Sequence, residues 1–116
     1  MMEKKSFNRV ELLGHVGMDP KIIEKDGKKM ARFTLATNER FHDRKGQIQE
    51  ETTWHNISAW EGEKIMNLEE IRKGLYLLIR GSIRNSKYLT TDGEARYFSE
   101  IRANAIRPAG EEEKED

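Results

Sequence analysis

The stretch Glu51-Thr52-Thr53-Trp54-His55-Asn56-Ile57-Ser58-Ala59-Trp60 alternates two unlike sets of side chains. Trp54, Asn56, Ser58 and Trp60 share one parity, and His55, Ile57 and Ala59 share the other. Successive side chains of a strand point to opposite faces, so the segment reads as a strand with two distinct faces. A core seldom places Asn and Ser between two tryptophans, because buried polar groups need hydrogen-bond partners. The Ile57/Ala59 face is therefore expected in the core, which turns both tryptophans outward. Rings alternating with hydrogen-bonding residues on an outer face suit stacking on unpaired bases. Packing is the other reading: Trp54 or Trp60 could lie under a helix or in a subunit contact, Trp60 more so because it adjoins the next element.

Working outward, the same period of two recurs. Asn8 to Gly17 alternates Val10, Leu12 and Val16 with Arg9, Glu11 and His15. Gly14 and Gly17 interrupt the run, as glycine does at bulges and barrel corners. Asp26-Gly27 is a turn signal. Met30 to Asn38 sets Ala31, Phe33 and Leu35 against Arg32, Thr34 and Ala36, and the polar stretch from Arg40 to Glu51 reads as a long exposed hairpin tip around Lys45-Gly46. After Trp60 the period changes. Ile65, Leu68 and Ile71 recur at spacing three, which predicts one helix over Glu61–Lys73 stopped by Gly74. Leu75–Arg84 and Arg96–Ile106 are the fourth and fifth strands, separated by an expected loop over Asn85–Ala95. Five strands with a short helix between the third and fourth is the element order of an OB-fold, an all-β Greek-key barrel.

The chain of 116 residues is long enough for one domain, expected over 1–107, with 108–116 as a short acidic tail whose composition predicts disorder. The formal charge is zero, with 21 Lys and Arg against 21 Asp and Glu. Residues 111–116 hold five acids and one base, which leaves 20 bases against 16 acids, a net +4, in residues 1–110. The body is therefore mildly basic. Cysteine is absent, which excludes disulfides and thiolate metal sites. No apolar run approaches the roughly 20 residues of a membrane-spanning helix, so no membrane partner is expected.

A second candidate region follows the fourth strand. Arg84, Lys87 and Tyr88 lie close together, and Arg96 and Tyr97 follow the Asp92-Gly93 turn. Cations interleaved with rings supply both parts of a single-strand site, charge for phosphates and faces for bases; an ordinary solvated hairpin is the alternative. Phe41, flanked by Arg40, His42 and Arg44, reads the same way. An enzyme is the first rival reading. However, there is no HExxH, EF-hand, G-x-S-x-G or Gly-rich phosphate loop, and His15, His42 and His55 are isolated. No catalytic residue, metal or cofactor is expected. A protein-binding adaptor of the primosome type would not need Trp54, Trp60 and Tyr88 together. A single-stranded RNA module stays open, since stacking alone does not distinguish the two nucleic acids.

Taken in order, these segments resemble the bacterial single-stranded DNA-binding proteins. Asn8 to Gly17 with Asp19-Pro20 looks like the family's first strand, Phe33 to Arg40 like its second, and Thr53-Trp54-His55 like its third. Lys73-Gly74, Ile79-Arg80-Gly81, and Asp92-Gly93 with Arg96-Tyr97 and Glu100-Ile101 are similar to the rest, so the resemblance covers about residues 8–107. It implies a homotetramer that holds single-stranded DNA without strong sequence preference and protects it during replication, recombination and repair, in the bacterial cytoplasm and at the nucleoid. By position it implies base stacking on Trp54, Trp60, Tyr88 and Phe41, phosphate contacts from Arg84 and Lys87, and a subunit interface at His55. Leu13, on the outward parity of the first strand, is expected to join that interface. Asn56 and Ser86 stand where many members carry Arg, and Asp43 where some carry Lys. Typical members end in a Gly-rich linker and an acidic tip with a final hydrophobic residue. Residues 111–116 have no apolar residue, so recruitment of repair and replication proteins through such a tip is not expected.

Overall fold

The alternation read from the sequence closes on itself in the computed structural model, which describes residues 4–110. The strands are β1 (Val10–Val16), β2 (Lys21–Lys25), β3 (Lys28–His42), β4 (Ile48–Trp60), β5 (Tyr76–Leu89) and β6 (Ala95–Pro108). They hydrogen-bond in the order β1-β5-β6-β4-β3-β2, and a further pairing of β1 with β3 shuts the ring. The five expected strands are β1, β3, β4, β5 and β6, and they form the barrel. β4 and β6 run parallel from Ile57↔Ile101 to Ala59↔Ala103, and the other neighbours are antiparallel.

The inward parity fills the barrel. Val16, Ala31, Phe33, Leu35, Ile57, Ala59, Leu77, Ile79, Ile101, Ala103 and Ile106 form one buried cluster. Each fully buried Ile or Leu contributes about 1.5–3 kcal/mol relative to exposure, which makes the parity of every strand costly to slip. The seam between β1 and β3 is short, limited to His15↔Ala36 and Val16↔Leu35. Gly14 sits at its end, where a Cβ would overlap the Ala36 carbonyl oxygen. Only glycine lets the two backbones approach this closely.

Three expectations change. The helix expected over Glu61–Lys73 is a single 3-10 turn at Leu68–Glu70, capped by Asn67, whose side chain accepts from the Glu69 amide at 3.0 Å. The segment before it runs alongside β6 instead of coiling. The Ile106 amide donates to the Lys64 carbonyl, and the Met66 amide donates to that of Ile106. Those bonds occupy backbone groups that a helix would use internally, while Leu68 and Ile71, three residues apart, still enter the core. The loop expected over Asn85–Ala95 is mostly ladder: β5 and β6 stay paired to Leu89↔Ala95, which leaves a turn at 90–94. β2 was not foreseen. All five of its residues are exposed, so the sequence carries no buried parity there; it is held by a tight turn at Asp26 and Gly27, both at positive φ. β6 also runs to Pro108, one residue past the boundary expected at 107. The acidic stretch 111–116 lies outside the described residues.

The Gly14 seam is directly testable. Gly14→Ala is expected to cost about 1–3 kcal/mol through overpacking, which lowers Tm by roughly 4–8 °C per kcal/mol in a domain of this size. An unchanged melting curve would contradict the close approach.

Candidate functional site

β4 places the candidate stacking rings. Ile57 and Ala59 are buried, so Trp54, Asn56, Ser58 and Trp60 take the outer face. Trp54 is 60% exposed. Its ring is nevertheless seated: a Cβ on Gly17 would overlap the indole and lie 2.6 Å from the Thr34 hydroxyl. The glycine after β1 is therefore the floor on which Trp54 lies, with one ring face toward the protein. Trp60 is half-buried. Its cross-strand partner Met30, in turn paired with Ile23 of β2, is also on the outer face and is buried there. Six residues of strand separate the two tryptophans, about 20 Å. They are two stations on one face.

The β5–β6 ribbon sorts the other candidates by parity. Tyr88 is paired with Arg96, Ser86 with Phe98 and Arg84 with Glu100, so these six residues share one face. Tyr88 and Phe98 rings meet at 5.9 Å between centroids. Lys87 is paired with Tyr97 on the opposite face. Arg84, Tyr88 and Arg96 are thus brought together and Lys87 is not. Trp54 and Asn56 join this group at a cleft of about 240 Å³, also lined by Ile83, Ser99, Glu100 and Ile101, where β4 and β6 part beyond Ile57↔Ile101. Phe41 is exposed on β3 but has the parity of Leu35 and Thr37, which puts it on the hairpin face opposite Trp54.

Sequence reading missed several residues of this outer face. Phe98 adds a ring beside Tyr88. Arg32 and Arg102 flank Ser58 in register, through Arg32↔Ser58 and Ser58↔Arg102. That flanking accounts for a serine buried on an outer face. The alternation of Ile101, Ala103 and Arg102 in β6 carried the signal, but the partner strand was needed to read it. Asp43 caps the β3–β4 turn. Hydrogen bonds from the Gln47 amide, the Gln49 side chain and the Lys45 amide hold its carboxyl below the usual range.

His55 and Leu13 meet elsewhere. Beyond Gly14, β1 parts from β3, and a groove of about 690 Å³ opens between the outer side of β1 and the β3–β4 hairpin. Leu13, Thr37, Thr53, His55, Tyr76 and Leu78 line it among others. His55 Nε2 lies 2.9 Å from the Thr37 hydroxyl, and partial burial lowers its pKa. His15 stacks on Tyr76 at 4.7 Å. Among the described residues, no group of three or more His, Asp or Glu could hold a metal ion, and no helix is long and apolar enough to cross a membrane.

Comparison with known proteins agrees with this geometry. The profile of the Single-strand binding protein family matches residues 7–109. A single-stranded DNA-binding protein of Neisseria meningitidis serogroup A is 34% identical over 106 residues, covering 90% of this chain and 61% of the relative. Single-stranded DNA-binding protein 1 of Chlorobaculum tepidum is 35% identical over 99 residues, 84% of this chain and 61% of the relative. The chain thus spans about three fifths of the length of these curated relatives. A solved structure of a Plasmodium falciparum SSB complex with ssDNA superposes with a TM-score of 0.78 and 32% identity, covering 91% of this chain and 96% of that one.

Burial of His55 has a pH consequence. Its neutral form is favoured in the fold, so the unfolded chain binds more protons as pH falls. Stability from this group is full above about pH 6.5 and is lost as pH drops through its lowered folded value. Titration followed by NMR is expected to place the His55 midpoint below 6.5; a midpoint at or above it would contradict the burial.

Proposed function

The chain belongs to the single-strand binding protein family, and from that premise we propose that it binds single-stranded DNA without strong sequence preference and without catalysing a reaction on it. The observation that carries this reading is Trp54: a large ring, 60% exposed, fixed on Gly17 and Thr34 with a face presented to solvent. Bases stack on such a ring whatever their identity, because every base has a π-face. Tyr88 and Phe98 extend the platform along the β5–β6 ribbon, and Arg84 and Arg96 on the same face supply charge for the backbone. Lys87 and Phe41, on other faces, serve a strand that wraps around the ribbon and the β3–β4 hairpin.

The groove at Leu13 and His55 is the proposed subunit contact. Residues Val10 to Leu13 of β1 pair with β5 on one side only. That unpaired edge, beside half-buried apolar side chains, suits strand addition by a second copy. The relatives support assembly into a homotetramer, a role in replication, recombination and repair, and a place in the bacterial cytoplasm at the nucleoid.

Two outcomes test the site. Oligo-dT is expected to quench tryptophan fluorescence, and Trp54→Ala to weaken binding by about 1–3 kcal/mol; unchanged affinity in both Trp54→Ala and Tyr88→Ala would overturn the stacking. Light scattering is expected to give a mass four times that of the 13.6 kDa protomer; a monomer mass would overturn the assembly.

A further inference from the structure

The β2–β3 hairpin sorts its charges in an unusual way. Antiparallel partners point to the same face, and Lys21 is opposite Arg32 and Lys25 opposite Lys28. Both are like-charge pairs, which destabilise a sheet when directly opposed. The hairpin's other face is balanced: Glu24 is opposite Lys29, and Lys29 is ion-paired with Glu69. The cations are thus gathered on the face that carries Arg32, Thr34, Trp54 and Trp60. None of Lys21, Lys25, Lys28, Arg32 and Arg102 has an ion pair or a side-chain hydrogen bond among the described residues. The nearest acid along the hairpin is Asp26, in its turn.

Register gives this patch a layout. One row runs Lys21, Arg32, Ser58, Arg102 across β2, β3, β4 and β6, about 14 Å at ordinary strand spacing. Lys25 and Lys28 form a second row at the turn. Midway between them lies the apolar row Ile23, Met30, Trp60, with Ile23 51% exposed. Each cation row is two residues, about 6–7 Å, from that strip. A flat apolar strip bordered on both sides by unpaired cations complements a nucleotide chain, with its base on the strip and its phosphates to either side.

We propose that the β2–β3 hairpin, with Trp60 and Arg102, is a second binding station for single-stranded DNA, continuing the path from Trp54 across β2. The inference rests on the single-strand reading above. It gives Trp60 a role distinct from that of Trp54: its ring, packed on Met30, completes the strip that the hairpin cations border. It also explains the like-charge pairs, since the phosphates of a bound strand neutralise them.

The test is a salt titration of dT oligomer binding, followed by fluorescence, for the full chain and for K21Q/K25Q/K28Q. Each phosphate neutralised on a single strand contributes about 0.7 to the log–log salt slope. The triple variant is expected to lower the slope by about 2 on long oligomers, with its melting temperature no lower than that of the parent because like-charge pairs are removed. K25Q/K28Q is expected to lower it by about 1.4. A matched variant at a distant site, K64Q/K73Q, is expected to leave it unchanged. If dT quenches the parent but the slope is the same in the triple variant, the hairpin station is overturned and the Trp54 site stands. If dT does not quench or bind the parent, both are overturned.

Discussion

Everything on the outer face depends on the burial of Ile57 and Ala59. These two side chains are locked between Phe33 and Ala31 of β3 and Ile101 and Ala103 of β6, all of them in the core. Because strand side chains alternate, fixing this pair fixes Trp54, Asn56, Ser58 and Trp60 on the other side. A slip of one residue would bury Asn56 and Ser58 and expose Ile57, a loss on both counts. The core therefore holds the binding face in place with no dedicated scaffold for it. Gly17 adds local precision, since the absence of its Cβ lets the Trp54 indole lie flat against the barrel.

The electrostatics are arranged by register. A formal charge of zero hides a face on which Lys21, Lys25, Lys28, Arg32, Arg84, Arg96 and Arg102 gather, against the buried Glu100. Where many relatives of this kind carry Arg, this chain has Asn56 and Ser86. Arg32 and Arg102 restore charge on the same face by flanking Ser58. Asp43, the acid in place of a lysine, ties down the β3–β4 turn through its three hydrogen bonds. The substitutions at these positions thus redistribute function over the surface as well as removing it.

Much of this was legible in the sequence, and the rest was not for physical reasons. The barrel strands were readable because one parity of each is buried, and the outward turn of Trp54 followed from Asn56 and Ser58. β2 was silent because an edge strand exposed on both sides leaves no alternating signal. The segment 61–73 misled because a spacing of three suits a 3-10 turn with two buried residues as well as a helix; the hydrogen bonds that decided the matter come from Ile106, far along the chain. Phe98, Arg32 and Arg102 were visible as residues but not as a site, since only cross-strand register brings them beside Tyr88 and Ser58. The same register separates Lys87 from Tyr88, although the two adjoin in sequence.

The central claim is that the outer face of β3, β4 and β6, and no other surface of the barrel, receives the strand. The most direct measurement is an amide and indole NMR map of the labelled protein titrated with a dT oligomer. The account predicts that the Trp54 indole N–H and the amides of Thr34, Asn56, Phe98 and Arg102 shift together along one saturating curve. Shifts confined to the groove of Leu13, His55 and Tyr76, with the Trp54 indole unmoved, would contradict it.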